Sequence, residues 1–183
     1  MAKEKPSREE STVAALCLNC ALCCNGVLFK DVELQKGDSA EKLRTLKLPV
    51  SVPRSTGGVS RFPQPCSALN GCHCQVYQHR PVRCRQFECA LFKSVIAGET
   101  EVESALRVIR DARKRAEKVK SLLRELGDTD ESVALSLRFK SAKRRFETSD
   151  VDESTAEIFS RLTLAVHDLN LLLHDKFYPS PSA

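Results

Sequence analysis

The sequence predicts an α+β fold that is mostly α: a small, loop-rich cysteine module followed by an antiparallel three-helix bundle or a helical hairpin. Two observations carry this prediction. All nine cysteines lie between Cys17 and Cys89, in a segment punctuated by proline, glycine and short apolar runs. After residue 95, apolar residues recur every three or four positions, which is the spacing of amphipathic helices.

This change in composition also predicts the domain organisation. We expect a flexible N-terminus at 1–16, the cysteine module at 17–95, a helical region at 96–178 and a disordered tail at 179–183. A chain of 183 residues is long enough to bury a core of its own.

Short elements are predicted within the cysteine module. The runs "VLF" at 27–29 and "VSRF" at 59–62 indicate short strands. A short helix follows in "GDSAEKLRTLKL", with Asp38 or Ser39 as its N-cap. Because proline suits the first turn of a helix, "RPVRCRQFECALFKSVIAG" is expected to open a helix near Pro81.

The second half predicts three helices. The first carries a narrow apolar seam and ends at Gly127, and the second is expected to be capped by Asp130. The third runs from about Ser154 to Tyr178, with an apolar face wide enough for two neighbours. The seam of the first helix consists of Val102, Ala105, Ile109, Ala112, Ala116, Val119, Leu123 and Leu126.

Composition limits the location and the partners. The N-terminal "MAKEKPSREE" lacks the apolar stretch of a signal peptide, and no apolar run reaches the ~18 residues of a membrane span, so we expect a cytoplasmic protein without a membrane partner. The first long helix, 102–126, has a basic face that could bind an acidic protein or a nucleic acid, although such faces are usually only solvated. Its basic residues are Arg107, Arg110, Arg113, Lys114, Arg115, Lys118, Lys120 and Arg124.

The cysteines form two blocks, "CLNCALCC" at 17–24 and "CSALNGCHCQVYQHRPVRCRQFEC" at 66–89. Core packing, disulfides and metal ligation are the alternatives. Adjacent Cys23 and Cys24 cannot both face one core, and an odd number of cysteines cannot all pair. Two thiolates reach one ion across a C-x2-C turn, and two such pairs complete a tetrahedral site. In a reducing compartment the density of both blocks therefore favours ligation.

Thiolate ligands suit zinc or iron, the latter including an iron–sulfur cluster. Only the first three cysteines match the C-x2-C-x2-C-x3-C-P run of bacterial ferredoxins, since Cys24 follows Cys23 directly. Two four-thiolate sites and one binuclear site with bridging thiolates both remain open. His73 is a further candidate ligand, although a surface turn residue is the more common role for a histidine in this position.

C-x2-C-x2-C-C followed by "CQVYQHRPVRCRQFEC" resembles the CxxCxxCC cysteine-cluster family (YkgJ type), whose name refers to zinc or iron chelation. The resemblance covers about 17–93 and implies metal binding; Cys72 is outside its pattern. The positions that match the second part of that pattern are Cys74, Tyr77, Arg80, Pro81, Cys84, Arg85, Phe87 and the additional Cys89. The expected ligands are Cys17, Cys20, Cys23, Cys24, Cys66, Cys74, Cys84 and Cys89.

Arg80 and Arg85 flank Cys84 and are expected to support the site by donating hydrogen bonds to thiolates, with an ordinary structural role as the alternative. Substitution of Ser for any of the first seven expected ligand cysteines, from Cys17 to Cys84, should lower metal content and stability, whereas Cys72→Ser is expected to be mild.

The function predicted for the chain is that of a cysteine-cluster metal-binding protein with a structural, redox or metal-handling role. The alternatives are a metal-dependent enzyme of unknown reaction and a metal-stabilised adaptor that uses the basic helix. The sequence contains no G-x-x-x-x-G-K, G-x-G-x-x-G or H-E-x-x-H motif to support an enzyme.

Overall fold

A computed structural model describes residues 16–52 and 58–178 of the chain. The flexible N-terminus and disordered tail predicted at 1–16 and 179–183 lie outside the described residues, apart from residue 16. In chain order the elements are β1 (Asp31–Glu33), α1 (Ala40–Thr45), β2 (Arg61–Pro63), β3 (Leu69–Asn70), β4 (His73–Cys74), a 3-10 turn (Tyr77–His79), α2 (Val82–Gln86), α3 (Ala90–Ile96), α4 (Val102–Glu125), α5 (Leu135–Thr148) and α6 (Glu153–Lys176).

The predicted fold class is confirmed at this level, since the protein is mostly helical with small antiparallel sheets. β1 pairs with β2, and β3 with β4. Among the helices, α4 packs along α6 and α5 contacts both. Helices α4 and α6 are antiparallel, as two contacts show. Arg115 of α4 donates to the Asp168 carbonyl of α6, whereas Glu125, further along α4, pairs with Arg161, which comes earlier in α6.

The main apolar core joins the two halves of the chain. The seam predicted for α4 is buried from Ala105 to Leu123, and it packs with residues of α6 and with Leu22, Leu28 and Phe92 of the cysteine-bearing half. Phe177, at the end of α6, accepts a hydrogen bond from the backbone of Ala90 at 3.1 Å. The cysteine-bearing segments therefore pack directly against α4 and α6, with which they share one core.

A second, smaller core lies behind the β1–β2 sheet. It contains Val32, Leu43, Leu48, Val50 and Phe62, each at most 6% exposed. Cys66 and Cys84 are partly buried against this cluster, whereas Cys20, Cys23 and Cys89 pack against the main core. The cysteines therefore lie where the two cores approach each other.

Several predicted elements are confirmed at their capping residues. Ser39 caps α1 by accepting a hydrogen bond from the Lys42 backbone N–H at 3.2 Å. Asp38 instead accepts from Val82 N, which ties the α1 segment to the start of α2. The helix expected near Pro81 begins at Val82. It breaks after residue 86, and Cys89 then becomes the N-cap of α3.

Two local predictions were wrong. The run at 27–29 is not a strand, because Val27 and Leu28 are buried in the helical core and the strand begins only at Asp31. Asp130 does not cap α5, since its carboxylate accepts hydrogen bonds from Ser132 within the preceding turn. α5 begins five residues later, at Leu135. At 27–29 tertiary packing overrode a local signal, whereas at Asp130 a partner two residues away took the carboxylate.

Gly26 is expected to be intolerant of any side chain. Its φ is +80°, and a Cβ there would lie 3.0 Å from Pro65 Cδ and 3.1 Å from Ala134 Cα. Gly127 is a matched control, because its φ is +77° but a Cβ would meet nothing within 4 Å. Left-handed backbone costs roughly 1–2 kcal/mol in either variant, and overpacking adds about 1–3 kcal/mol at Gly26.

In urea denaturation, Gly26→Ala should therefore lower the free energy of unfolding by clearly more than Gly127→Ala. Equal losses in the two variants would show that the close approach of Pro65 and Ala134 is not a constraint on this position.

Candidate metal centre

Five parts of the chain bring the cysteines together: 17–24, the loop at 66, the β3–β4 hairpin with 72 and 74, α2 with 84, and the start of α3 with 89. The two sequence blocks are joined directly, since Cys66 N donates to the Cys24 carbonyl at 2.8 Å. The sulfur atoms of Cys23 and Cys24 lie 3.6 Å apart. All nine cysteines are free thiols, and all but the exposed Cys17 are partly buried.

A first group of thiols surrounds Cys20. Burial, together with the neighbouring thiols of Cys89, Cys17 and Cys72, raises its pKa to about 12. Burial likewise raises the pKa of Cys17 to about 11, with contributions from Cys89 and Cys24. Cys17, Cys72 and Cys89 therefore lie close enough to Cys20 for their charges to affect its pKa.

A second group surrounds Cys24. Its hydrogen bond with Cys23, followed by burial, raises the pKa of Cys24 well above that of an ordinary thiol. Burial raises the pKa of Cys84 to about 12, and the thiols of Cys24, Cys66 and Cys74 add to the shift. Cys66 and Cys74 have raised pKa values for the same first reason, burial, and both respond to Cys24. This second group is adjacent to the first, since Cys17 also responds to Cys24.

Backbone N–H groups influence sulfurs of both groups. Those of Leu22, Ala68 and Val76 lower the pKa of the cysteine two residues earlier, at positions 20, 66 and 74. Phe92 N donates to Cys89 Sγ at 3.4 Å. Such hydrogen bonds favour the thiolate and lower the pKa, although here burial outweighs them.

Of the two predicted supporting arginines, Arg80 lies among the thiols. Its guanidinium carbon lies 3.8 Å from the centre of the Tyr77 ring, and its Nε donates to the Tyr77 carbonyl. The positive charge of Arg80 lowers the pKa of the thiols at 17, 24, 74 and 84, in opposition to burial. Arg85 is exposed on α2, and its charge is not among the causes of any cysteine pKa shift.

Sequence reasoning assigned no role at this centre to Arg113. One guanidinium nitrogen, Nη1, donates to the Asn19 carbonyl at 2.8 Å and to Cys72 Sγ at 3.2 Å. From the sequence, Arg113 is recognisable only as one of the basic residues of the first long helix. Its partners are 94 and 41 residues away in the chain, so no local pattern could have revealed the contact.

The donor set fits a thiophilic ion, since free, partly buried thiols suit zinc and iron–sulfur clusters. Within 16–52 and 58–178, however, no three Cys, His, Asp or Glu side chains already surround one point as ligands. Burial raises the pKa of the thiols at 17, 20, 66, 74, 84 and 89, so metal binding, which requires thiolates, would release their protons.

Other candidate features lie outside the centre. His73 is exposed on β4, as expected for a surface residue. Along α4, half of the basic side chains pair with carboxylates, which reduces the cationic surface available to an acidic partner. These pairs are Arg110–Glu103, Arg115–Asp111, Lys120–Glu117 and Arg124 with Glu117 and Glu131. In the part of the chain that the structure describes, no helix is long and apolar enough to cross a membrane.

The fold and the clustered thiols define a cysteine-rich protein of the metal-binding class. Residues 16–117 match the sequence model of the family CxxCxxCC, described as "Putative zinc- or iron-chelating domain". This match covers more than half of the chain, so the protein belongs to that family, as its motifs predicted. The match extends into α4 and includes Arg113. No curated protein and no solved structure matches the chain.

Proposed function

We propose that this protein is a cytoplasmic metal-binding protein whose eight family-pattern cysteines hold zinc or iron, the latter including an iron–sulfur cluster. The observation that carries the proposal is the convergence of free thiols from five parts of the chain onto adjacent groups. Within these groups, Phe92 N already donates to Cys89 Sγ, and backbone N–H groups lower the pKa of Cys20, Cys66 and Cys74. Those hydrogen bonds would stabilise the thiolates once an ion replaced their protons.

The second group supplies one complete four-thiolate set: Cys24, Cys66, Cys74 and Cys84. Cys17, Cys20, Cys89 and Cys23 are the remaining family-pattern ligands. Each set has the donor number of a tetrahedral zinc site or of one iron–sulfur cluster. In this proposal Arg80 offsets part of the negative charge of the bound thiolates, whereas the exposed Arg85 has a weaker claim to that role.

The proposed role is structural, or one of redox or metal handling. The helices α4, α5 and α6 would act as a three-helix support for the module at 17–95, because the main core unites α4 and α6 with the cysteine-bearing loops. A bound ion would cross-link loops that have little regular secondary structure of their own.

Metal content is the direct test. The full chain is purified without oxygen and analysed for zinc, iron, acid-labile sulfide and visible absorption. We expect either about two zinc ions in colourless protein or iron with matching sulfide in brown protein. The matched control is the double variant Cys24→Ser, Cys66→Ser, which should lose about half of the metal. A chain that holds neither element, even after addition of zinc or reconstitution with iron and sulfide, would contradict the proposal.

A further inference from the structure

Cys72 is the cysteine that the family pattern does not include, yet it does not stand apart from the others. It lies in the turn between β3 and β4, is partly buried, and lies close enough to Cys20 to raise the pKa of that thiol. Its sulfur also accepts a hydrogen bond from the Arg113 guanidinium. Cys72 therefore interacts both with the thiol of Cys20 and with Arg113, and is not an isolated surface cysteine.

The Arg113 contact fixes Cys72 relative to the first C-x2-C segment, where residues 17–20 are helical. Asn19 lies between Cys17 and Cys20, and its carbonyl accepts from the same Nη1 atom that donates to Cys72. One guanidinium nitrogen therefore bridges the β3–β4 turn and the helical segment at 17–20. Hydrogen bonds to a ligand sulfur orient it and stabilise the thiolate, as supporting residues commonly do around metals.

The base from which Arg113 reaches the cysteines is rigid. Its neighbour in sequence Ala112 is fully buried, and Ala116, one turn further along α4, is 4% exposed within the main core. The helix backbone therefore cannot shift without disturbing that core. A guanidinium also presents several donors in a fixed plane, which a lysine does not.

Cys23 is less well placed to complete the first group. Its sulfur contacts that of Cys24 at 3.6 Å, and Cys24 belongs to the second group. Cys23 and Cys72 are therefore the two candidates for a fourth ligand beside Cys17, Cys20 and Cys89. Of the two, Cys72 is the one that the Arg113 guanidinium links to the 17–20 segment.

We propose that Cys72 is the fourth ligand of a site formed with Cys17, Cys20 and Cys89, and that Arg113 is the residue that positions it. This inference rests on the proposed metal-binding function and changes its ligand assignment: Cys72 takes the place of Cys23 in the first set. It also makes α4 part of the metal centre.

The test uses the full chain, stripped of metal under reducing conditions and titrated with Co²⁺. Absorbance from thiolate-to-cobalt charge transfer reports the number of sulfur ligands, and transfer of the ion to a chelator reports the affinity. Cys72→Ser should remove about one of two tightly bound ions, whereas Cys23→Ser should retain both.

Arg113→Met should weaken one site about 10–100-fold, as loss of a supporting hydrogen bond does. Arg113→Lys should recover only part of that affinity. Arg110→Met is the control, because Arg110 lies on the same helix but pairs with Glu103, and it should leave both sites unchanged. In the Cys72→Ser background, Arg113→Met should cause no additional loss, since Arg113 acts through Cys72.

Two results would overturn the inference while leaving metal binding intact: full cobalt binding by Cys72→Ser with loss of one ion in Cys23→Ser, or equal effects of Arg113→Met in the presence and absence of Cys72. A wild-type chain that binds no cobalt, zinc or iron would instead refute the proposed function, and this inference with it.

Discussion

Cys24→Ser is expected to cause the largest loss of metal and stability of any single cysteine substitution. Cys24 raises the pKa of four of the other eight cysteines, more than any other thiol does: Cys17, Cys66, Cys74 and Cys84. Structural zinc contributes about 10–16 kcal/mol to folding in small four-ligand sites, so one of four thiolates accounts for roughly 3 kcal/mol. The metal-loaded variant should lose at least about that much stability and one of its two sites.

The measurement compares urea denaturation of wild type and Cys24→Ser, each with bound metal and each after chelation. Serine is close to cysteine in size, so the variant should differ little from wild type when both are metal-free. The stability loss should therefore be confined to the metal-loaded pair. A loss of the same size in the metal-free proteins would assign Cys24 to packing rather than ligation.

Arg138→Met should destabilise the helical half by about 3–5 kcal/mol, the usual cost of breaking a buried ion pair. The side chains of Arg138 and Asp128 are 2% and 9% exposed, and Nε lies 2.9 Å from Oδ1. Arg138 Nη2 also donates to the Asp128 carbonyl at 3.0 Å, at the turn that joins α4 to α5. Methionine would leave a buried carboxylate and a buried carbonyl without this partner.

The matched control is Arg124→Met, since Arg124 pairs with Glu117 and Glu131 at the surface, where water and salt screen ion pairs and their loss costs little. Adding Asp128→Asn to Arg138→Met should recover part of the loss by removing the unpaired charge. If thermal and urea denaturation give Arg138→Met no larger loss than Arg124→Met, the buried pair does not hold the α4–α5 turn.

The helices illustrate what could be predicted locally. The apolar spacing from Ala105 to Leu123 places one stripe on one side of α4 whatever the neighbour, and the structure buries that stripe. Ser39 could be predicted as a cap because its hydroxyl meets a free N–H only three residues away. The strand predicted at 27–29 failed because its apolar residues satisfy burial equally well in irregular backbone against a helical core.

The sequence by itself determined the family and the cysteine-rich composition on which the metal-binding proposal rests, because both depend on residue type and spacing along the chain: C-x2-C-x2-C-C at 17–24 and the second block ending at Cys89. It also determined the helical half, since helix signals act within a few residues. Only the tertiary structure decided which thiols are neighbours, and that Arg113 bonds to Cys72 across 41 residues. Contacts of that separation depend on how helices and loops pack together, and no local pattern encodes them.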